Sequence, residues 1–177
     1  MNISFISAYN TDKDIGGEYN RLIEMIDDEY IFIKDGDCLF LTPDYGDKIE
    51  KIIKDNPEYD VIGCMTNRLS GSHQRIGQIE ENPDINYHIN MANKLWEDNG
   101  SLVYPTFKNA AAMCMILKKK IWERIRFKEN CCFFDRLFCE EALSLGYQIG
   151  IAQGLYVFHL YRWGKEHPES YINHLIK

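Results

Sequence analysis

Asp28-Glu29-Tyr30-Ile31-Phe32-Ile33-Lys34-Asp35-Gly36-Asp37 is the stretch whose reading decides the fold. Its centre, Tyr30 to Ile33, is a short apolar run of aromatic and β-branched residues between polar ones. That is the pattern of a strand buried on both faces. The strand delivers two aspartates, separated by a glycine, to its own end. Two carboxylates so placed suit a hard divalent cation, which takes oxygen ligands and shares them with substrate phosphates. Gly36 lets a ligand approach the backbone closely. An ordinary acidic turn has the same composition, so the D-x-D pattern needs company before it carries a function.

Working outward, Ile3 to Tyr9 reads as a second buried strand. A polar loop with Gly16-Gly17 follows it. Tyr19, Leu22, Ile23 and Ile26 then recur at helical spacing, which predicts a helix over Glu18 to Asp27. Downstream, Thr42-Pro43 reads as the cap and first residue of a helix. Its stripe is Ile49, Ile52 and Ile53, and Asn56-Pro57 ends it. Val61 to Met65 is a third strand. Strand and helix alternate, which predicts an α/β fold with a mixed, mostly parallel sheet flanked by helices. Ligands collect beyond the carboxyl ends of such strands. Tyr9-Asn10, Asp35-Gly36-Asp37 and Thr66-Asn67-Arg68 should therefore gather on one edge. Leu69 to Pro83 reads as a mobile loop and Asp84 to Asp98 as a helix. Ala112 to Leu117 reads as a strand, and Lys118 to Ile125 and Leu137 to Leu145 as helices. Tyr147 to Ala152 and Leu155 to Phe158 read as two short strands leading to His159.

The chain of 177 residues is expected to form one domain, with residues 1–68 as one half and 69–177 as the other. Apolar residues at 45% rule out a disordered chain. A net charge of −7 argues against a nucleic-acid partner, and fits a protein that recruits a divalent cation to handle phosphates. The six cysteines include no C-x-x-C pair, and Cys131 and Cys132 are adjacent, so free thiols in a reducing compartment are expected. The opening MNISFISAYN lacks a basic-then-apolar pattern, and the longest apolar run, Ala110 to Leu117, is too short to span a bilayer. A cytoplasmic location, with peripheral membrane contact left open, is the expectation.

With these elements in place the sequence resembles a known family. The stretch Asp28 to Asp37 is similar to the D-x-D signature of GT-A glycosyltransferases, family two in particular. Ile3 to Asn10 is similar to that family's opening strand, and Asn20 falls where its members often carry an asparagine. Asp135 to Ala142, Gly146-Tyr147 and Val157-Phe158-His159 are similar to its acidic residue, helix, Gly-Tyr pair and terminal histidine. The resemblance covers most of the chain. It implies a single GT-A (Rossmann-like) domain, with the donor and metal in the first half and the acceptor and catalytic residue in the second.

The resemblance implies roles residue by residue. Asp35, Asp37 and His159 would hold Mn²⁺ or Mg²⁺, and Asp135 would be the general base. Tyr9, Asn10, Asn20 and Asp35 would contact a UDP- or GDP-linked sugar, and Arg68, on the same sheet edge, is a candidate phosphate contact because guanidinium suits phosphate. The acceptor would be a glycan, a lipid-linked sugar or a protein, and transfer would invert the anomeric centre. The chemistry is sound: a sugar diphosphate leaves poorly unless its charge is neutralised, and the attacking hydroxyl needs a carboxylate in reach. Arg162 is a second candidate phosphate contact. Tyr156, Phe158, Tyr161 and Trp163 are candidates for an acceptor platform. Asp135 also suits a helix cap, Glu140 and Glu141 are alternative bases, and His159 also reads as structural.

The sequence departs from the family in three places. Only Thr11 to Glu18 separates the opening strand from the Asn20 helix, Lys34 stands before the D-x-D, and Asn109-Ala110-Ala111-Ala112 replaces a glycine-containing stretch. Two other readings follow: a non-catalytic domain binding carbohydrate or protein, and a sugar nucleotidyltransferase. The latter expects a glycine-rich basic loop where Thr11-Asp12-Lys13-Asp14 stands.

Overall fold

The computed structural model describes residues 1–160. Arg162, Tyr161 and Trp163, singled out above, lie outside the described residues. The chain builds β1 (Ile3–Ile6), α1 (Ile15–Glu24), β2 (Tyr30–Lys34), β3 (Cys38–Leu39), α2 (Tyr45–Asp55) and β4 (Val61–Thr66). After a short 3₁₀ turn at Ser72–Gln74 come α3 (Ile85–Asn99), β5 (Val103–Pro105), β6 (Cys114–Lys118), α4 (Lys119–Arg124), α5 (Phe134–Ser144) and β7 (Ile149–His159).

The strands form one sheet in the order β1-β2-β6-β4-β7-β3, with β5 also on β7. Two pairings are parallel, β1 with β2 and β4 with β7. Four are antiparallel: β2 with β6, β6 with β4, and β3 and β5 each with β7. The sheet is therefore mixed, which corrects the expectation of a mostly parallel one. The reason is β6, which enters between β2 and β4 and runs against both. It leaves β1, β2, β4 and β7 pointing the same way. Their carboxyl ends share one edge with the start of β6.

Both faces of the sheet are covered. In β2, Ile31 and Ile33 face one core with Tyr19 and Ile23 of α1, Trp122 of α4 and Phe138 of α5. Tyr30 and Phe32 face the other, with Ile49, Ile52 and Ile53 of α2. The period of two along a strand turns one apolar run into two cores. Each fully buried side chain of this size contributes roughly 1.5–3 kcal/mol.

Several boundaries differ from the sequence reading. The first helix starts earlier and takes in Gly16 and Gly17, because Asp14 Oδ1 accepts from Gly17 N at 3.0 Å and caps it. The second helix starts at Tyr45 rather than Thr42-Pro43. The Thr42 hydroxyl instead accepts from Lys48 Nζ at 3.0 Å, and Phe40 stacks on Tyr45 at 4.3 Å. Leu69 to Pro83 is anchored: Gln74 is fully buried, its amide donates to Cys64 O and its oxygen accepts from Ala111 N. The last two expected strands are one, β7, whose register to β4 shifts between Cys64 and Met65.

Candidate active site

The shared edge gathers the acidic and basic groups. β2 ends at Lys34, whose ammonium donates to the carbonyls of Asp35 (2.8 Å) and Cys38 (2.7 Å) and so closes the turn that carries both aspartates. Asp35 N donates to Met113 O at 2.9 Å. β3 then pairs with the end of β7, setting Cys38 opposite His159. Leu160 N donates to Asp37 O at 3.0 Å and continues that ladder.

His159 is held from three sides. Asn67, buried at the end of β4, accepts from His159 N at 2.8 Å and donates to His159 O at 3.2 Å. His159 Nδ1 lies 2.8 Å from Arg68 O. A carbonyl only accepts, so Nδ1 carries a proton and Nε2 is the atom turned toward the site. Nε2 stands 3.4 Å from Asp37 Oδ1. The hydrogen bond from His159 holds the Asp37 carboxyl below its ordinary range, against the opposing effect of burial.

Asp37, Cys38 and His159 offer ligand atoms that all lie within 4.8 Å of one another. Burial pushes the Cys38 thiol far up, so it stays protonated, and a thiol is soft. The oxygen of Asp37 is a hard donor that fits Mn²⁺ or Mg²⁺, and a neutral His159 imidazole adds a nitrogen that fits Mn²⁺ better than Mg²⁺. Asp35 is outside that cluster but lines the adjoining cleft of about 530 Å³. Burial, with the charges of Asp37 and Asp135, raises its carboxyl to about 6, while His159 and Lys34 pull the other way.

Asp135 lines the same cleft. It lies in the first turn of α5 rather than capping it. Its Oδ2 accepts from Ala112 N at 3.1 Å and its Oδ1 from Arg136 N at 2.7 Å. Burial nonetheless raises its pKa above the ordinary carboxylate value. A positioned carboxylate of raised proton affinity, facing a cleft, suits proton abstraction.

The other expected site residues are placed differently. Asn20 is buried: its amide donates to Phe127 O, and its oxygen accepts from Trp122 Nε1 and Phe127 N at 2.9 and 3.0 Å. It braces α1 against α4 and does not line the cleft. Tyr9 is exposed beyond β1, and Asn10 Oδ1 accepts from Asp12 N and Asp14 N, turning the loop on itself. Arg68 is buried, pairs with Glu81 at 2.6 Å and reaches the site through its carbonyl on His159. Tyr156 and Phe158 are core residues. Glu140 pairs with Arg136 at 2.7 Å. Sequence reasoning missed the bracing roles of Asn67 and Gln74, whose partners are distant in the chain and leave no local signal.

The cysteines of the described chain are all free thiols, four of them buried. Among the described residues no helix is long and apolar enough to cross a membrane. No family model matches the sequence, and no curated protein matches it. Among solved structures, the chain is similar to the mannosyltransferase PcManGT from Pyrobaculum calidifontis, in complex with GDP-Man and Mn²⁺. The TM-score is 0.53 at 14% identity, over 83% of this chain and 36% of that one. The chain thus spans about a third of that enzyme's length. At this identity the likeness concerns the fold alone: an α/β architecture with a mixed sheet flanked by helices.

Proposed function

We propose that the chain is a metal-dependent glycosyltransferase that moves a sugar from a nucleotide-sugar donor to an acceptor hydroxyl, with inversion. The observation that carries this reading is the β3–β7 pairing, which sets Asp37 beside His159 at the edge where Asp35 and Asp135 face one cleft. Asp37 and His159 are the residues to hold the cation, with Asp35 next to them. A bound divalent cation supplies neutralisation of the charge that develops on a departing diphosphate. Asp135 takes the proton of the acceptor hydroxyl, oriented by the Ala112 and Arg136 amides. Lys34 and Asn67 keep the turn and the histidine in register.

The GDP-Man in the similar structure places GDP-mannose first among donors to try, with UDP-sugars beside it. Isothermal calorimetry of these donors, with and without Mn²⁺, tests the reading. Mn²⁺-dependent binding of at least one donor is expected. Absence of binding in both conditions overturns it and leaves a non-catalytic domain.

A further inference from the structure

A second groove, of about 460 Å³, runs on from the cleft and shares Ser70, His73, Asn109 and Arg136 with it. Arg136 directly follows the proposed base, so the groove leads to the place where an acceptor hydroxyl must sit. Phe107 stands at its rim, 91% exposed. An aromatic ring so open to water has no packing role. The turn that presents it is nonetheless well tied. Thr106 N donates to Ile149 O at 2.9 Å, Lys108 N to Thr106 Oγ1 at 3.1 Å, and His73 Nε2 lies 2.6 Å from Asn109 O. The ion pair of Arg136 and Glu140 lines the same groove.

We infer that this groove binds the acceptor and that the acceptor is a glycan, one of whose rings stacks on Phe107. A sugar ring offers an apolar C–H face bordered by hydroxyls. An exposed aromatic face ringed by planar donors and acceptors matches both halves of that surface. An acyl chain would desolvate the half-exposed Arg136–Glu140 pair and offer it no hydrogen bond in return. The inference rests on the transferase reading for the word acceptor, but the binding surface stands on its own geometry.

Saturation-transfer NMR on the metal-free protein tests it, with a panel of mannobiose, cellobiose, chitobiose, lactose and sialyllactose. At least one is expected to show transfer to its ring protons. Phe107→Ala should weaken that ligand about five- to tenfold, and Phe107→Tyr should restore it. Phe107 is exposed, so neither change disturbs the core. Lack of transfer across the panel, or an unchanged affinity in Phe107→Ala, overturns the inference. Donor calorimetry on the same preparations separates the two readings. Glycan binding without any donor binding refutes the transferase and leaves the platform standing. Donor binding without glycan binding refutes the platform alone.

Discussion

Asp35 and Asp135 both hold their protons more tightly than free carboxylates do, and for Asp35 this bears on stability as well as chemistry. Its pKa is about 6 in the folded protein, against 3.8 for an unperturbed aspartate. The unfolded chain therefore binds fewer protons across that window, and the contribution of Asp35 to stability is lost as pH rises through about 6. Asp35→Asn should make the metal-free protein more stable at pH 7.5, by at most about 3 kcal/mol. Urea melts of both proteins from pH 4 to 7.5 check this: the difference should grow from pH 4 to about 6 and then level off, and a difference flat over the whole range removes the claim. Asp135→Asn should spare donor binding and cut transfer by about 10²–10⁴. Full turnover in that variant would reassign the base. Asp35 and Asp37 were legible in the sequence, because a carboxylate after a buried strand is local information, whereas Asp135, in the first turn of a helix, stood out only through the family resemblance. The brace on His159 was not, since Asn67 meets it only through the β4–β7 pairing.

At the scale of elements, the longer helices and the buried strands follow from apolar periodicity. β3 and β5 do not. They have two and three residues, too few for any period to show, yet β3 brings Asp37 to His159. β7 reads in the sequence as two strands that flank Gln153 and Gly154, and the structure runs it unbroken through Gly154. The glycine's lack of a side chain is a packing requirement: a Cβ there would lie 2.1 Å from the backbone oxygen of Gly100, just past the end of α3. Backbone cannot yield as a flexible side chain can. Gly154→Ala should therefore destabilise the fold by about 2 kcal/mol or more, read from thermal or urea unfolding. A shift below about 0.5 kcal/mol would show that α3 moves away freely.

Across the whole molecule, the sheet order is what makes a site. β6, reversed between β2 and β4, brings Ala111 and Ala112 to the edge where β2, β4 and β7 end. Mn²⁺ binding at that edge should stabilise the folded protein, by about 2.7 kcal/mol at a hundredfold excess over the dissociation constant. A rise in Tm with Mn²⁺, removed by chelation and absent in Asp37→Ala, checks this; an equal rise in the variant would move the ion elsewhere. The sequence by itself determined the α/β class, the two-faced burial of β2 and the identity of the chemical groups. Each of these depends on spacing or side-chain type within one element. Only the tertiary structure decided that antiparallel pairings outnumber parallel ones in the sheet, that Asp37 meets His159, that Asn20 braces the core, and that Phe107 stands at a groove beside Asp135. These depend on strand pairings between distant parts of the chain, which no local pattern encodes.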